Sequence, residues 1–264
     1  MLNAEALRRL AAHRSRPIRS GVAAGLRRQG GLGVRENLGF LRGGHALSRE
    51  ERFLRSLDLA GKVVYDVGAF EGINTIFFAE RAGALGQVVA FEPHPQTFEQ
   101  LLGNVRVNGF NNVTALPLAV GREPGELHFT VAEGGRGKMS ASASLSEKIA
   151  REGQHVETLA IPVTSIDAAI ESRRLPTPDF VKIDVEGLEQ DVLLGMKGTV
   201  EAHRPELFVE LHGVGEDGKR ENARRVVASL LEAGYRLRHV EEGRPIDGEA
   251  DAPLTGHLSA RRDL

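Results

Sequence analysis

A chain of 264 residues with 41% hydrophobic content is long enough for one large α/β domain, or one domain plus an extension, around a substantial core. It contains no cysteine, which excludes disulfides, thiolate zinc sites and a cysteine nucleophile, and which fits a reducing compartment such as the cytoplasm. The net charge of −2 hides an asymmetry: Arg8, Arg9, Arg14, Arg16, Arg19, Arg27, Arg28 and Arg35 face only Glu5 across the first 35 residues. The acidic remainder argues against a broad nucleic-acid surface. No apolar run approaches the roughly 20 residues that span a bilayer, and the N-terminus lacks a secretory h-region.

Residues 1–47 are expected as a basic helical arm and linker, with Gly30, Gly31 and Gly33 near the boundary. Such an arm is a solvated face by default and a candidate contact for anionic membrane. Residues 48–264 are expected as the domain. A short helix covers 48–58, capped by Ser48 with Glu51 three residues on as a capping box. KVVYDV is a buried strand, and an amphipathic helix starts at Ile73. QVVAFE (87–92) is a second strand, followed by a helix with Phe98, Leu101, Leu102 and Val105 on one face. VTALPLAV (113–120) reads as one third strand, and 125–131 as a β excursion. Residues 133–144 carry no period and are expected as a loop or a lid.

Strand 155–163 and a short helix in TSIDAAIESRR come next. DFVKIDV (179–185) is a further core strand; its helix places Leu188, Val192, Leu193 and Met196 together, with Gly198 as its stop. ELFVELH (206–212), a helix over about 220–233, and two closing strands in YRLRHV and HLSARR complete the pattern. Alternating β and α units predict a mostly parallel sheet covered on both faces.

In such a sheet ligands collect at the carboxyl ends of the strands. The first strand ends in Asp66, then Gly68 and Gly72, which let the backbone turn and approach a ligand. The second ends in Glu92 and Pro93, placed to accept both hydroxyls of a ribose. An acid beside a glycine turn disfavours a pyrophosphate but suits a cofactor with a ribose, an ammonium and a sulfonium, which describes S-adenosylmethionine. A nicotinamide-dependent oxidoreductase is the alternative; the missing G-x-G-x-x-G counts against it, as does the lack of lysine four residues after Tyr65 or Tyr235. A non-catalytic nucleoside-binding module is a second alternative. No N/D-P-P-Y/F turn is present, which speaks against base N-methylation.

DVGAFEG, AFEPHP and KIDVEG, within roughly 55–212, resemble the FkbM family of S-adenosylmethionine-dependent methyltransferases. The resemblance implies a class I methyltransferase (Rossmann-like) αβα sandwich, with a mostly parallel seven-stranded sheet and a terminal antiparallel hairpin. It implies O-methylation of a hydroxyl on a sugar, glycan or natural-product acceptor. It also implies that Asp66, Gly68, Ala69 and Gly72 form the methionine-binding turn, with Asn74 in the helix behind it. Glu92 would hold the ribose, Pro93 shape the adenine side, Leu118 and Ala119 line the adenine pocket, and Asp184 lie near the methyl donor. Phe70-Glu71 departs from the family's pattern at this turn.

An alcohol nucleophile must lose a proton as it attacks, which calls for a base or a metal. Among strand-end groups His212 titrates nearest neutrality and is the first candidate base, Asp184 the second; Glu186 and Glu210 are further candidates. Asp184, Glu210 and His212 end adjacent strands and are together candidates for one divalent ion. Lys182 and Asp184 share one strand face, so Lys182 is a candidate ion-pair partner.

Overall fold

The computed structural model describes residues 15–29, 46–132, 139–140 and 156–262. Strands β1 (Ser15–Pro17) and β2 (Arg27–Gln29) form an antiparallel hairpin. The expected helical character of the arm is therefore corrected over these residues. Ile18, Val22 and Leu26 recur every four residues as in a helix, but Gly21 and Gly25 adopt φ of 85° and 101°, which breaks any helical run. The three apolar side chains and Ala23 are buried in one cluster with Leu54, Ile76 and Phe77. Residues 1–14 and 30–45 of the basic segment lie outside the described residues.

Helix α1 (Arg49–Ser56) has the expected capping box: Glu51 N donates to Ser48 Oγ at 3.0 Å, and Ser48 N to Glu51 Oε2 at 2.8 Å. The β/α alternation then runs β3 (Val63–Val67), α2 (Ile73–Ala82), β4 (Gln87–Phe91), α3 (Pro95–Asn108) and β5 (Val113–Leu116). The predicted third strand is cut in two. Pro117 has no N–H for a ladder, and β6 (Ala119–Val120) leaves to join a second sheet. There β6 pairs with β9 (Val156–Thr164), which pairs with β7 (Gly125–Ala132) and that with β8 (Met139–Ser140). The rest of the expected loop, 133–138 and 141–144, lies outside the described residues.

Helix α4 (Ile166–Arg173) leads to β10 (Phe180–Ile183). The helix expected to stop at Gly198 is two helices, α5 (Glu189–Leu194) and α6 (Lys197–His203). The break falls at Gly195, where a Cβ would stand 2.0 Å from Gly121 O, so the chain turns where another backbone crosses it. Gly198 instead lies in the first turn of α6, its N–H donating to Asp167 Oδ2 at 2.8 Å. β11 (Glu206–Leu211), α7 (Gly215–Glu232), β12 (Arg236–His239), β13 (Arg244–Ile246) and β14 (Gly256–Arg261) complete the fold.

The main sheet has eight strands in the order β13-β12-β14-β11-β10-β3-β4-β5. β11, β10, β3, β4 and β5 are parallel, and β14 lies antiparallel between β11 and β12. This is the expected sheet with β13 added at its edge. One face packs on α5 and α7 through residues such as Tyr65, Val181, Val192 and Val226. The other packs on α1, α2 and the hairpin. From β3 the chain moves outward to β4 and β5 on one side, then returns to β10 on the other. The switch in strand order thus falls between β3 and β10, where a crevice opens at the carboxyl ends.

Candidate active site

The turn after β3 is shaped by the strand next to it. Gly68 has φ of 78°, and a Cβ there would meet Asp184 O at 1.7 Å. Gly72, also at 78°, has α3 beside it: a Cβ would come 2.9 Å from Leu101 Cγ. Both glycines are required by protein packing as well as by conformation. Phe70 and Glu186 hold φ of 51° and 54° on the turns that follow β3 and β10. Arg174 and Arg204 have similar angles but sit at helix C-caps, where that conformation is ordinary. Among the described non-glycine residues, positive φ away from helix ends therefore gathers at the crevice.

Asp66 is fully buried and its charge is met within the protein. Thr75 Oγ1 donates to its Oδ2 at 2.6 Å, and Lys182 Nζ lies 3.5 Å from Oδ1. Lys182 is its register partner on β10, and Asp184 follows two residues later on the same face, 3.0 Å from Lys182 Nζ. Burial raises the pKa of Asp66 while Lys182 opposes the shift; burial works against the charge of Lys182, but Asp184 and Asp66 hold its pKa above the ordinary value. Lys182 is thus the ion-pair partner its strand spacing suggests.

Glu92 is buried too. Its Oε2 accepts from Phe70 N at 2.7 Å, and its Oε1 from His94 N at 2.9 Å and Thr97 Oγ1 at 2.7 Å. A carboxylate offers about four acceptor sites, and the one Thr97 hydroxyl proton is shared between Glu92 Oε1 and His94 O, 3.0 Å away, so Glu92 keeps acceptor capacity for a ribose. His94 caps α3: its Nδ1 accepts from Gln96 N at 3.1 Å, and burial lowers its pKa. That acceptance places the ring proton on Nε2, which is buried and has no hydrogen-bond partner among the described residues. Asn74 and Pro93 are half-buried, while Leu118 and Ala119 pack into apolar clusters, Ala119 with Ile161 and Val163 of the second sheet.

The three catalytic candidates do converge. Asp184, Glu210 and His212 each turn one ligand atom into a group within 4.8 Å of one another. His212 Nε2 lies 3.3 Å from Glu210 Oε1 and 3.9 Å from Asp184 Oδ1. Behind the ring stands Glu189, which sequence reasoning missed. It is fully buried, and its carboxylate accepts from Asn222 Nδ2 at 2.6 Å and Gly187 N at 2.9 Å, while its Oε1 lies 2.9 Å from His212 Nδ1. A buried carboxylate on Nδ1 orients the ring so that Nε2 faces the crevice. Burial disfavours the cation, but Glu189 and Glu210 outweigh it and raise the His212 pKa to about 10. The expectation that His212 titrates near neutrality is corrected: three carboxylates surround one imidazole.

Glu210 also reaches a second imidazole, His257, its register partner on β14, with Oε2 3.4 Å from His257 Nε2. His257 Nδ1 lies 2.6 Å from Glu241 Oε1, and Glu241 Oε2 lies 3.2 Å from His239 Nε2. Asp184, Glu210 and His257, with Glu241 and His239 beyond, form a row along the rim made by the carboxyl ends of β10, β11 and β12 and the amino end of antiparallel β14.

The match to the Methyltransferase FkbM domain covers residues 66–237, from the buried aspartate of β3 into β12. The chain belongs to the FkbM methyltransferase family. The resemblance seen in DVGAFEG, AFEPHP and KIDVEG is borne out by this match, and the donor that goes with the family is S-adenosylmethionine. Relatives include the hexuronic acid methyltransferase AglP of Haloferax volcanii, 32% identical over 160 residues, which make up 60% of this chain and 58% of AglP. Methyltransferase 1 of Beauveria bassiana is 28% identical over 145 residues, 50% of this chain and 57% of that protein. The chain thus spans little more than half the length of either. Among solved structures, the FkbM methyltransferase of Methylobacillus flagellatus KT is similar over 78% of this chain and 45% of that one, with 16% identity and a TM-score of 0.48.

The residues present fit that donor. The acceptor capacity left on Glu92 suits a ribose, and the unpartnered His94 Nε2 proton lies in the residues just after Glu92. In the turn, Asp66 takes a hydrogen bond from Thr75 and an ion pair with Lys182, while its Oδ1 accepts no hydrogen bond among the described residues. Phe70-Glu71, the departure from the family's pattern, is also accounted for: Glu71 is buried against Arg28 of the hairpin.

Proposed function

We propose that this FkbM protein transfers a methyl group from S-adenosylmethionine to a hydroxyl of a sugar, glycan or sugar-like natural product. The observation that supports this most is the convergence of Asp184, Glu210 and His212 beside the strained turns at the strand-order switch. AglP, a hexuronic acid methyltransferase, points to the same acceptor class.

The donor supplies an electrophilic methyl on a sulfonium. The acceptor oxygen bonds to that carbon as the carbon–sulfur bond breaks, so in-line positioning carries much of the acceleration. In this reading the turn 66–72 and Glu92 hold the donor and Asp184 borders it. His212 Nε2, with Asp184 and Glu210 around it, receives the hydroxyl proton. Only the neutral imidazole can do so, and its fraction grows as pH rises toward about 10.

A second reading rests on the donor set. Two carboxylate oxygens and an imidazole nitrogen suit one divalent cation, with Glu189 as the outer carboxylate on the ring. Chelation separates the two: turnover that persists after exhaustive removal of divalent ions supports His212 as base, and turnover restored by added Mg²⁺ or Mn²⁺ supports the ion. In this reading residues 48–264 are the catalytic domain and 1–47 an accessory segment. No helix among the described residues is long and apolar enough to cross a membrane. We place the protein in the cytoplasm on its cysteine-free composition, which suits a reducing compartment.

The test is calorimetry with S-adenosylmethionine and its demethylated product, followed by transfer assays on hexuronic acid and neutral hexose acceptors. Micromolar donor binding and methylation of a sugar hydroxyl are expected. No donor binding at millimolar concentration overturns the assignment.

A further inference from the structure

Arg49, Arg52 and Arg238, with Phe53 and Val240, line an open cavity of about 270 Å³. Arg49 and Arg52 are three apart on α1, so they share one helix face; Arg238 comes from β12. All three are exposed, and among the described residues none has a carboxylate within ion-pair distance. Their hydrogen bonds go to main-chain oxygens: Arg49 to Glu241, Arg52 to Leu47 and Arg238 to Gly243. Such bonds fix a guanidinium in place and leave its charge uncompensated.

The acids nearby are turned elsewhere. Glu51 is used by Ser48 N and Val22 N, and Glu50 points to His257, 3.7 Å from its Nε2. Glu241 is taken by His257 and His239, and Glu242 by Arg244 and His239. The cavity is therefore a concentrated positive site on a chain whose net charge is −2. Fixed guanidinium forks with open valences are the standard recognition element for carboxylate and phosphate.

Its position ties it to the crevice. Arg49 holds the Glu241 carbonyl, Glu241 holds His257, and His257 faces Glu210, the neighbour of His212. The cavity lies beside that row, on the flank formed by α1 and β12.

We propose that the Arg49–Arg52–Arg238 cavity binds an anionic group of the methyl acceptor, a carboxylate or a phosphate, and so selects acidic sugars over neutral ones. This inference rests on the sugar O-methyltransferase reading above. The volume admits one charged head, so the arginines hold the acidic end of the acceptor while another of its hydroxyls is presented to Asp184 and His212.

The test titrates the full chain, saturated with S-adenosylhomocysteine, with glucuronate, glucose 6-phosphate, inorganic phosphate and glucose, by ligand-observed NMR. Saturable binding of an anionic probe is expected, weakened about tenfold or more in the Arg52→Ala/Arg238→Ala double variant and partly kept in Arg52→Lys/Arg238→Lys. Preference for glucuronate assigns a carboxylate; preference for the phosphates assigns a phosphoryl group. Equal anion binding by wild type and double variant overturns the inference, as does no anion binding by a protein that binds S-adenosylhomocysteine. If S-adenosylhomocysteine itself fails to bind, the methyltransferase reading fails instead. Because all three arginines are exposed, thermal melts of the variants should match wild type.

Discussion

Arg28 Nη2 lies 2.8 Å from Glu71 Oε2, and both side chains are buried. The pair joins the N-terminal hairpin to the glycine turn that follows β3. Asn104 reinforces it, donating to Glu71 O at 2.6 Å and accepting from Gln29 N at 2.6 Å. Removing one partner takes a buried ion pair apart. Arg28→Ala is expected to cost about 3–5 kcal/mol of folding stability, read from urea denaturation. The double variant Arg28→Met/Glu71→Leu should recover part of that loss. A single variant as stable as wild type would show that the hairpin does not brace the turn.

Lys182 separates two carboxylates that would otherwise repel. Lys182→Met should destabilise the fold by about 3–5 kcal/mol at neutral pH. Protonating Asp66 relieves that repulsion, so the deficit should shrink as pH falls. Denaturation curves at pH 5 and pH 8 check this; an equal deficit at both would mean that Asp66 and Asp184 do not feel one another.

Glu189→Gln tests ring positioning. The amide keeps the volume but loses the charge that orients His212 and raises its pKa. Turnover is expected to fall about 10–100-fold with little change in donor affinity, and the pH–rate profile should move to lower pH. A drop in turnover with an unmoved profile would indicate a purely structural role.

His257 makes stability depend on pH. Burial opposes its charge, yet Glu210, Glu50 and Glu241 raise its pKa from 6.5 to about 9. Because the folded value is the higher one, the stabilisation is fully present below 6.5 and is lost as pH rises through about 9. Melting temperatures between pH 6 and pH 10 should fall across that window, and His257→Gln should flatten the decline. The same slope in the variant would remove His257 as its source.

Gly68→Ala is expected to be the most damaging glycine-to-alanine change among the described residues. It sets a Cβ against Asp184 O at 1.7 Å and enforces a φ of 78°. Soluble expression with a wild-type melting temperature would contradict the close approach of the two strand ends.

Most of the sheet could be read from sequence because its strands are short apolar runs bounded by turn residues. KVVYDV, QVVAFE, DFVKIDV and ELFVELH all became neighbouring strands. Lys182 and Asp184 could be paired by two-residue alternation alone. The hairpin was hidden, since the spacing of Ile18, Val22 and Leu26 imitates a helix and only the glycines at 21 and 25 argue otherwise. The contacts of His257, Glu241 and Arg238 were hidden for a different reason: they depend on where β14 enters the sheet, and hydrophobic pattern tells which face of a strand is buried, not which strands it lies between. Glu189 was visible as an acid in VEGLE, but its target depends on the turn at Glu186-Gly187, whose positive φ angles no propensity foretells.

The place of β14 has a consequence for how the molecule is made. It is synthesised after β12 yet sits between β12 and β11. Until residue 261 has left the ribosome, β11 carries an unpaired edge and β12 has no sheet to join. Glu210 meanwhile waits without His257. A nascent chain that has already threaded the parallel strands is therefore still half-built at its rim until β14 emerges.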